Sequence, residues 1–184
     1  MSEARKSQKP EPFEKKVWLS SPTMHGEEMD YVREAYDANW MSTVGANIDA
    51  IEEKFAARIG VGYGVALSSG TAALHLAAMA AGITKGDEVI VTPLTFAASA
   101  NCILYCGGTP VFADVKRDTY NIDPESIRSH ITEKTKAVVA VDFTGQAVEL
   151  DEIRQICKEH NLMLIEDAAH AIGTQYKNKK VGSI

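Results

Sequence analysis

The chain has 184 residues, enough for one domain with a sizeable core. Hydrophobic residues make up 45% and charged residues 24%, the balance of an ordinary soluble globular fold. A formal net charge of -6 argues against a nucleic-acid partner and against an electrostatic membrane anchor, since both need a basic face, and no apolar run is long enough to span a bilayer.

In chain order, residues 1–16 are polar, carry charges of both signs and lack the apolar core of a signal peptide; they read as a disordered tail. Residues 17–60 read as an N-terminal helical arm. Glu27 to Asn39 puts Val32, Ala35 and Tyr36 on one helix face, and Ile48, Ile51, Phe55 and Ile59 recur at steps of three and four until Gly60 stops the second helix. The Trp40–Gly45 loop lies between them.

From Val61 onward, short apolar runs alternate with helical patterns. Strands are predicted at Val65–Ser68, Glu88–Thr92, Pro110–Asp114, Lys136–Val141 and Leu162–Glu166. Helices are predicted at Thr71–Ala81, Phe96–Cys106 and Asp151–His160, with a short one capped by Asp123 and opened by Pro124. Lys177, Lys179 and Lys180 fall in a polar turn. Strands that are β-branched and almost continuously apolar expect cover on both faces. The βαβ order therefore predicts an α/β fold, a three-layer, mostly parallel sheet with right-handed crossovers. Cys102, Cys106 and Cys157 form no C-x-x-C pair, which fits a reduced, cytoplasmic setting.

In open α/β sheets, ligands sit beyond the carboxyl ends of the strands. The residues there are Ser69-Gly70-Thr71, Pro93 to Phe96, Asp142 to Gln146 and Asp167 to His170. Ser69-Gly70-Thr71 opens a helix, whose free N–H groups favour an anion; a plain helix cap is the competing reading. Asp167, at a strand end, can hold a pyridinium nitrogen protonated, ligate Mg²⁺ or cap the next segment. Phe96 can stack on a planar ring or pack in the core. Glu166 should point to the opposite face from Asp167. Asp167 and His170 are two potential metal ligands, but no further His or Cys is spaced to complete a site.

Taken together, these segments resemble the DegT/StrS-type aminotransferases, fold type I pyridoxal-phosphate (PLP) enzymes of sugar-nucleotide metabolism. The resemblance runs from about Trp18 to Val181. It rests on Ser68-Ser69-Gly70-Thr71-Ala72-Ala73-Leu74, Thr92-Pro93-Leu94-Thr95-Phe96, Thr119-Tyr120-Asn121-Ile122-Asp123-Pro124, Gly145-Gln146 and Glu166-Asp167-Ala168-Ala169-His170, in order and each at its place in the βα pattern. It implies that Gly70, Thr71 and Ala72 hold the cofactor phosphate, Phe96 stacks on the ring, Asp167 pairs with the ring nitrogen and His170 lies near the ring hydroxyl. Thr43 and Gln146 would help shape the sugar-nucleotide site.

The implied reaction moves an amino group from glutamate to a keto-sugar on a nucleoside diphosphate, in a cytoplasmic homodimer of amino-sugar and polysaccharide biosynthesis. On this reading residues 61–184 are an incomplete PLP-binding large domain. The Schiff-base lysine lies a short distance beyond Ile184, and the 184 residues alone are expected to be inactive. Asp142 stands where many members carry histidine, which leaves substrate choice open. A non-catalytic PLP- or phosphate-binding or dimerisation fragment, and a sugar dehydratase relative with histidine in place of the lysine, are the alternatives.

Overall fold

The computed structural model describes residues 14–16, 18 and 21–183, so most of the expected 1–16 tail lies outside the described residues. The chain divides into two compact units, Met1–Asn47 and Ile48–Ile184. In the first, α1 (Glu28–Asp37) is held at its start by Glu28, whose carboxylate accepts the N–H groups of His25 and Gly26 at 2.6 and 2.8 Å. Those bonds hold the Glu28 carboxyl down to about 2. Thr43 is exposed in the bend before α2 (Ala46–Ile59), and the division between the units falls inside that helix. Gly60 ends α2 with φ +97°, a left-handed conformation that glycine adopts without strain.

The second unit is built on a four-stranded sheet, all parallel, in the order β2-β1-β3-β4. Its strands are β1 (Glu88–Val91), β2 (Thr109–Phe112), β3 (Thr135–Val141) and β4 (Met163–Asp167). Alternation along each strand feeds two separate cores. Val89, Val91, Ala137, Val139, Val141 and Ile165 face α3 (Gly70–Ala80) and α4 (Ala98–Tyr105), meeting Leu74, Ala78, Cys102 and Ile103. Ile90, Val138 and Ala140 face α5 (Pro124–His130) and α6 (Leu150–Glu159), meeting Ile127, Leu150, Ile153 and Ile156. The result is the three-layer α/β architecture expected from strands apolar on both faces. Each buried Val, Ile or Leu contributes about 1.5–3 kcal/mol of transfer free energy.

The local signals act as their chemistry requires. Asp123 accepts the Glu125 N–H at 3.1 Å with Pro124 at the first helical position of α5. Lys177 and Asn178 both have positive φ and join β5 (Gln175–Tyr176) to β6 (Lys179–Lys180), so the polar turn is the tip of a small hairpin.

One predicted strand is absent. Val65–Ser68 forms no ladder, and Val65 and Leu67 are exposed. Apolar, β-branched character favours extension, but a strand also needs a neighbour to bond. Here the Ala66 N–H is accepted by the Glu52 carboxylate of α2 at 2.8 Å. The helix predicted from Phe96 starts only at Ala98, which leaves Phe96 on the loop after β1.

Candidate active site

A cavity of about 170 Å³ opens at the carboxyl ends of β1, β3 and β4, lined by Gly70, Thr71, Phe96, Asp142, Asp167 and His170 among others. Four residues named from three separate stretches of sequence, Thr71, Phe96, and Asp167 with His170, thus meet on one rim, where a parallel sheet leaves its ligand crevice.

Asp167 ends β4, level with Val141 of β3. Its Oδ2 accepts from the Ser99 hydroxyl at 2.8 Å and its Oδ1 from the Ala169 N–H at 3.3 Å. Ser99 is fully buried in the first turn of α4, with its Oγ 2.9 Å from Thr95 Oγ1. Because the Ser99 proton goes to Asp167, the Thr95 hydroxyl must donate to Ser99. The relay Thr95, Ser99, Asp167 fixes the carboxylate while leaving it on the cavity wall.

At the mouth of α3, Ser69 Oγ accepts the Ala72 N–H at 3.2 Å, so the plain cap is present. It uses only one of the orphan donors. The N–H groups of Gly70 and Thr71 meet no acceptor among the described residues, and nothing lies within 4 Å of where a Gly70 side chain would begin. An anion thus has two free donors and clear space. Ala72 is different: its N–H is taken by Ser69, and it does not line the cavity.

Phe96 is 73% exposed, which excludes the core-packing reading; the ring stands at the cavity with a free face. His170 is exposed on the same rim. Gln146 lies outside the lining. Its carbonyl accepts from Asn121 Nδ2 at 3.0 Å. Thr43 belongs to the first unit. Lys177, Lys179 and Lys180 do not line the cavity either: Lys177 pairs with Asp151, and the Lys180 ammonium donates to the Arg58 carbonyl.

Three further residues shape this rim: Ser99 and Asn121, which have no role in the sequence reading, and Asp142, which enters it for substrate choice. Asn121, buried, donates to the Gln146 and Ala147 carbonyls, both at 3.0 Å, and accepts the Phe143 N–H at 3.1 Å, holding the 143–147 loop. Asp142, also buried, sends its N–H to the Asp167 carbonyl at 3.1 Å. In the same loop Gly145 has φ +89°, and a Cβ there would sit 3.0 Å from the His170 carbonyl oxygen. Asn121 stood inside a quoted motif; Ser99 had only its place four residues after Thr95. Among the described residues, no group of three or more His, Cys, Asp or Glu is placed to hold a metal ion, and no helix is long and apolar enough to cross a membrane.

Residues 22–184 match the model of the DegT/DnrJ/EryC1/StrS aminotransferase family. The chain belongs to this family. It is 45% identical over 169 residues to the GDP-perosamine synthase of Caulobacter vibrioides, covering 92% of this chain and 46% of that protein. EpsN of Bacillus subtilis, provisionally named a pyridoxal phosphate-dependent aminotransferase, is 41% identical, with 92% of this chain and 45% of EpsN covered. The crystal structure of an aminotransferase from Psychrobacter cryohalolentis superposes with a TM-score of 0.83 at 41% identity, over 88% of this chain and 41% of the other. The chain thus spans less than half the length of these family relatives.

Proposed function

We propose that the chain is part of a PLP-dependent aminotransferase acting on nucleotide-linked keto-sugars, with glutamate as amino donor. The observation that carries this reading is the convergence, in a chain of this family, of a fixed carboxylate, an exposed aromatic face and a helix mouth with two free N–H groups on one cavity. These residues fit the cofactor. PLP, when bound, supplies the electron sink on which amino transfer depends.

The chain's own residues have separable tasks. Asp167 holds the proton on the ring nitrogen, and Ser99 keeps its carboxylate oriented for that. Gly70 and Thr71 receive phosphate oxygens through backbone N–H groups and the Thr71 hydroxyl. Ala72 joins them only by giving up its bond to Ser69, so it is the weaker partner. Phe96 stacks on one ring face and keeps water off it. His170, on the same rim, would lie near the ring hydroxyl. Gln146 and Thr43 remain substrate candidates through the family resemblance. Among the described residues no lysine lines the cavity, so this stretch binds and polarises, while the proton-shuttling amine comes from elsewhere in the full enzyme.

A homodimer is part of the reading, supported by apolar side chains left exposed on α3 and α4. The three free cysteines support a cytoplasmic setting.

Calorimetric titration with pyridoxamine phosphate, which needs no lysine, tests the site. One saturable site is expected, weakened at least tenfold by D167A and by T71A. Absence of binding at millimolar ligand, or binding indifferent to both substitutions, would overturn the assignment.

A further inference from the structure

Two carboxyls stand behind the sheet from Asp167. β3 and β4 pair with Ala140 opposite Glu166 and Val141 opposite Asp167, so Glu166 faces the α5/α6 layer while Asp167 faces α4. Asp142 reaches that same rear face: its Oδ1 accepts the Val148 N–H at 2.9 Å, and Val148 lies in the α5/α6 core. Glu166 Oε2 accepts the Gly182 N–H at 2.8 Å. One oxygen of each group remains. Asp142 Oδ2 and Glu166 Oε1 are both buried, and neither meets a donor among the described residues. Ionised carboxylates only accept, so each such oxygen left buried carries an uncompensated desolvation cost, and the two side chains are placed to hydrogen-bond each other. One proton between them satisfies both.

We propose that Glu166 and Asp142 share a single proton, and that this acid–carboxylate hydrogen bond is a latch holding the 142–148 segment and the chain at Gly182 to the strand end that carries Asp167. Glu166 is the donor. Burial, reinforced by the neighbouring Asp142 charge, pushes its carboxyl up to about 7. Burial likewise raises Asp142, helped by Asp167 on β4. The opposing charge is Arg154 of α6, which favours ionised Glu166; Arg154 and Lys158 of α6 line one surface groove with Glu166 and Gly182. Lys177 and Lys180 of the hairpin are engaged by Asp151 and the Arg58 carbonyl, Lys116 pairs with Glu149 at 3.8 Å, and Arg128 of α5 pairs with Glu159 at 2.7 Å. None of these cations makes an ion pair with the two carboxyls among the described residues.

The sign follows from the direction of the shift. A carboxyl raised in the folded state contributes stability that is fully present below its ordinary value and is lost as pH rises through its folded value, here about 7 for Glu166. Above that pH two like charges face each other and the latch opens. Because Asp142 also donates its N–H to the Asp167 carbonyl at 3.1 Å, opening loosens the rear support of the cavity. The latch stands without any cofactor; its effect on binding rests on the cofactor reading given above.

The test is a carboxyl ¹³C NMR titration of the full 184-residue chain, with amide exchange read at Val148 and Gly182 and corrected for intrinsic rates. Glu166 is expected to titrate near neutrality, and both amides should lose at least tenfold protection between pH 5.5 and 8.5. In E166Q the amide donates to Asp142 at every pH, so protection should stay flat. D142N, whose amide donates to Glu166, gives the same reading if E166Q does not fold. Ordinary titration of both carboxyls below pH 5, or pH-independent protection in the unsubstituted chain, overturns the latch. Pyridoxamine phosphate binding at pH 6 and 8 keeps the two ideas apart. Its absence beside a raised Glu166 titration sinks the cofactor reading alone. Its presence beside an ordinary titration sinks the latch alone.

Discussion

The two helical layers flanking the sheet are finished differently. On the α5/α6 side, α6 buries Leu150, Ile153, Ile156 and Cys157 and turns outward a charged face, with Arg128 of α5 bound to Glu159 across the two helices. On the α3/α4 side, α3 carries no Asp, Glu, Lys or Arg and is apolar apart from Thr71 and His75, and Leu76 and Met79 stay 45% and 58% exposed; Leu104 and Tyr105 of α4 are also exposed. A helix that is amphipathic is complete once its stripe is covered, whereas one that is hydrophobic all round calls for cover on two sides. The first layer buries its apolar stripe and leaves a charged outer face. The second carries Gly70, Thr71 and Ser99 on its inner side and an apolar surface on its outer side. That outer surface is the basis for the proposed dimer.

Breaking each layer should give unequal results. Ile153→Ala, in the fully buried face of α6, should cost about 2–5 kcal/mol in denaturant unfolding through lost transfer energy and a cavity. A cost below about 1 kcal/mol would mean that this layer is not the sealed one. Gly145→Ala acts at the rim, where φ is +89° and the His170 carbonyl is 3.0 Å from the new Cβ. It should destabilise by about 1–3 kcal/mol and displace His170, read as a weakened pyridoxamine phosphate affinity.

Ser99→Ala tests the inner side of the other layer. It removes the donor to Asp167 Oδ2, and pyridoxamine phosphate affinity should fall about tenfold, near 1.4 kcal/mol, with the fold retained. Unchanged affinity would assign Ser99 to packing. The smallest stability effect belongs to the outer side. Leu76→Asp with Met79→Asp should shift unfolding by less than about 1 kcal/mol per monomer, since surface changes are usually slight. Yet the pair should convert a dimer to a monomer in sedimentation at micromolar concentration. A doubly substituted chain that still sediments as a dimer would move the interface elsewhere.

What the sequence displays and what it hides divide along contact range. β1, β3 and β4 are visible as apolar runs, and the Asp123-Pro124 start of α5 lies within three residues of the bond it makes. The strand expected at Val65–Ser68 failed because pattern reports a tendency to extend, while ladder bonds need a neighbour that pattern cannot supply. Asp167 and Phe96 were legible as strand-end residues, and Thr71 as the mouth of a helix, although the strand expected before it is absent. Ser99 was not, because its partner lies 68 positions away and a serine near a helix start resembles any other cap. Glu166 was correctly expected to face away from Asp167. Its tie to Asp142 rests on two oxygens left over after every other bond is made, which only a three-dimensional accounting exposes.

The cysteines turn this layered build into a chemical reporter. Burial pushes the thiols of Cys102 and Cys157 up to about 11, one in each core, so neither offers much thiolate to an alkylating probe. Cys106 is only partly covered, and it follows Leu104 and Tyr105 at the end of α4. A maleimide dye should therefore settle on one position without any engineering. Its fluorescence would brighten or fade as the apolar side of α3 and α4 is covered, giving a direct optical readout of assembly.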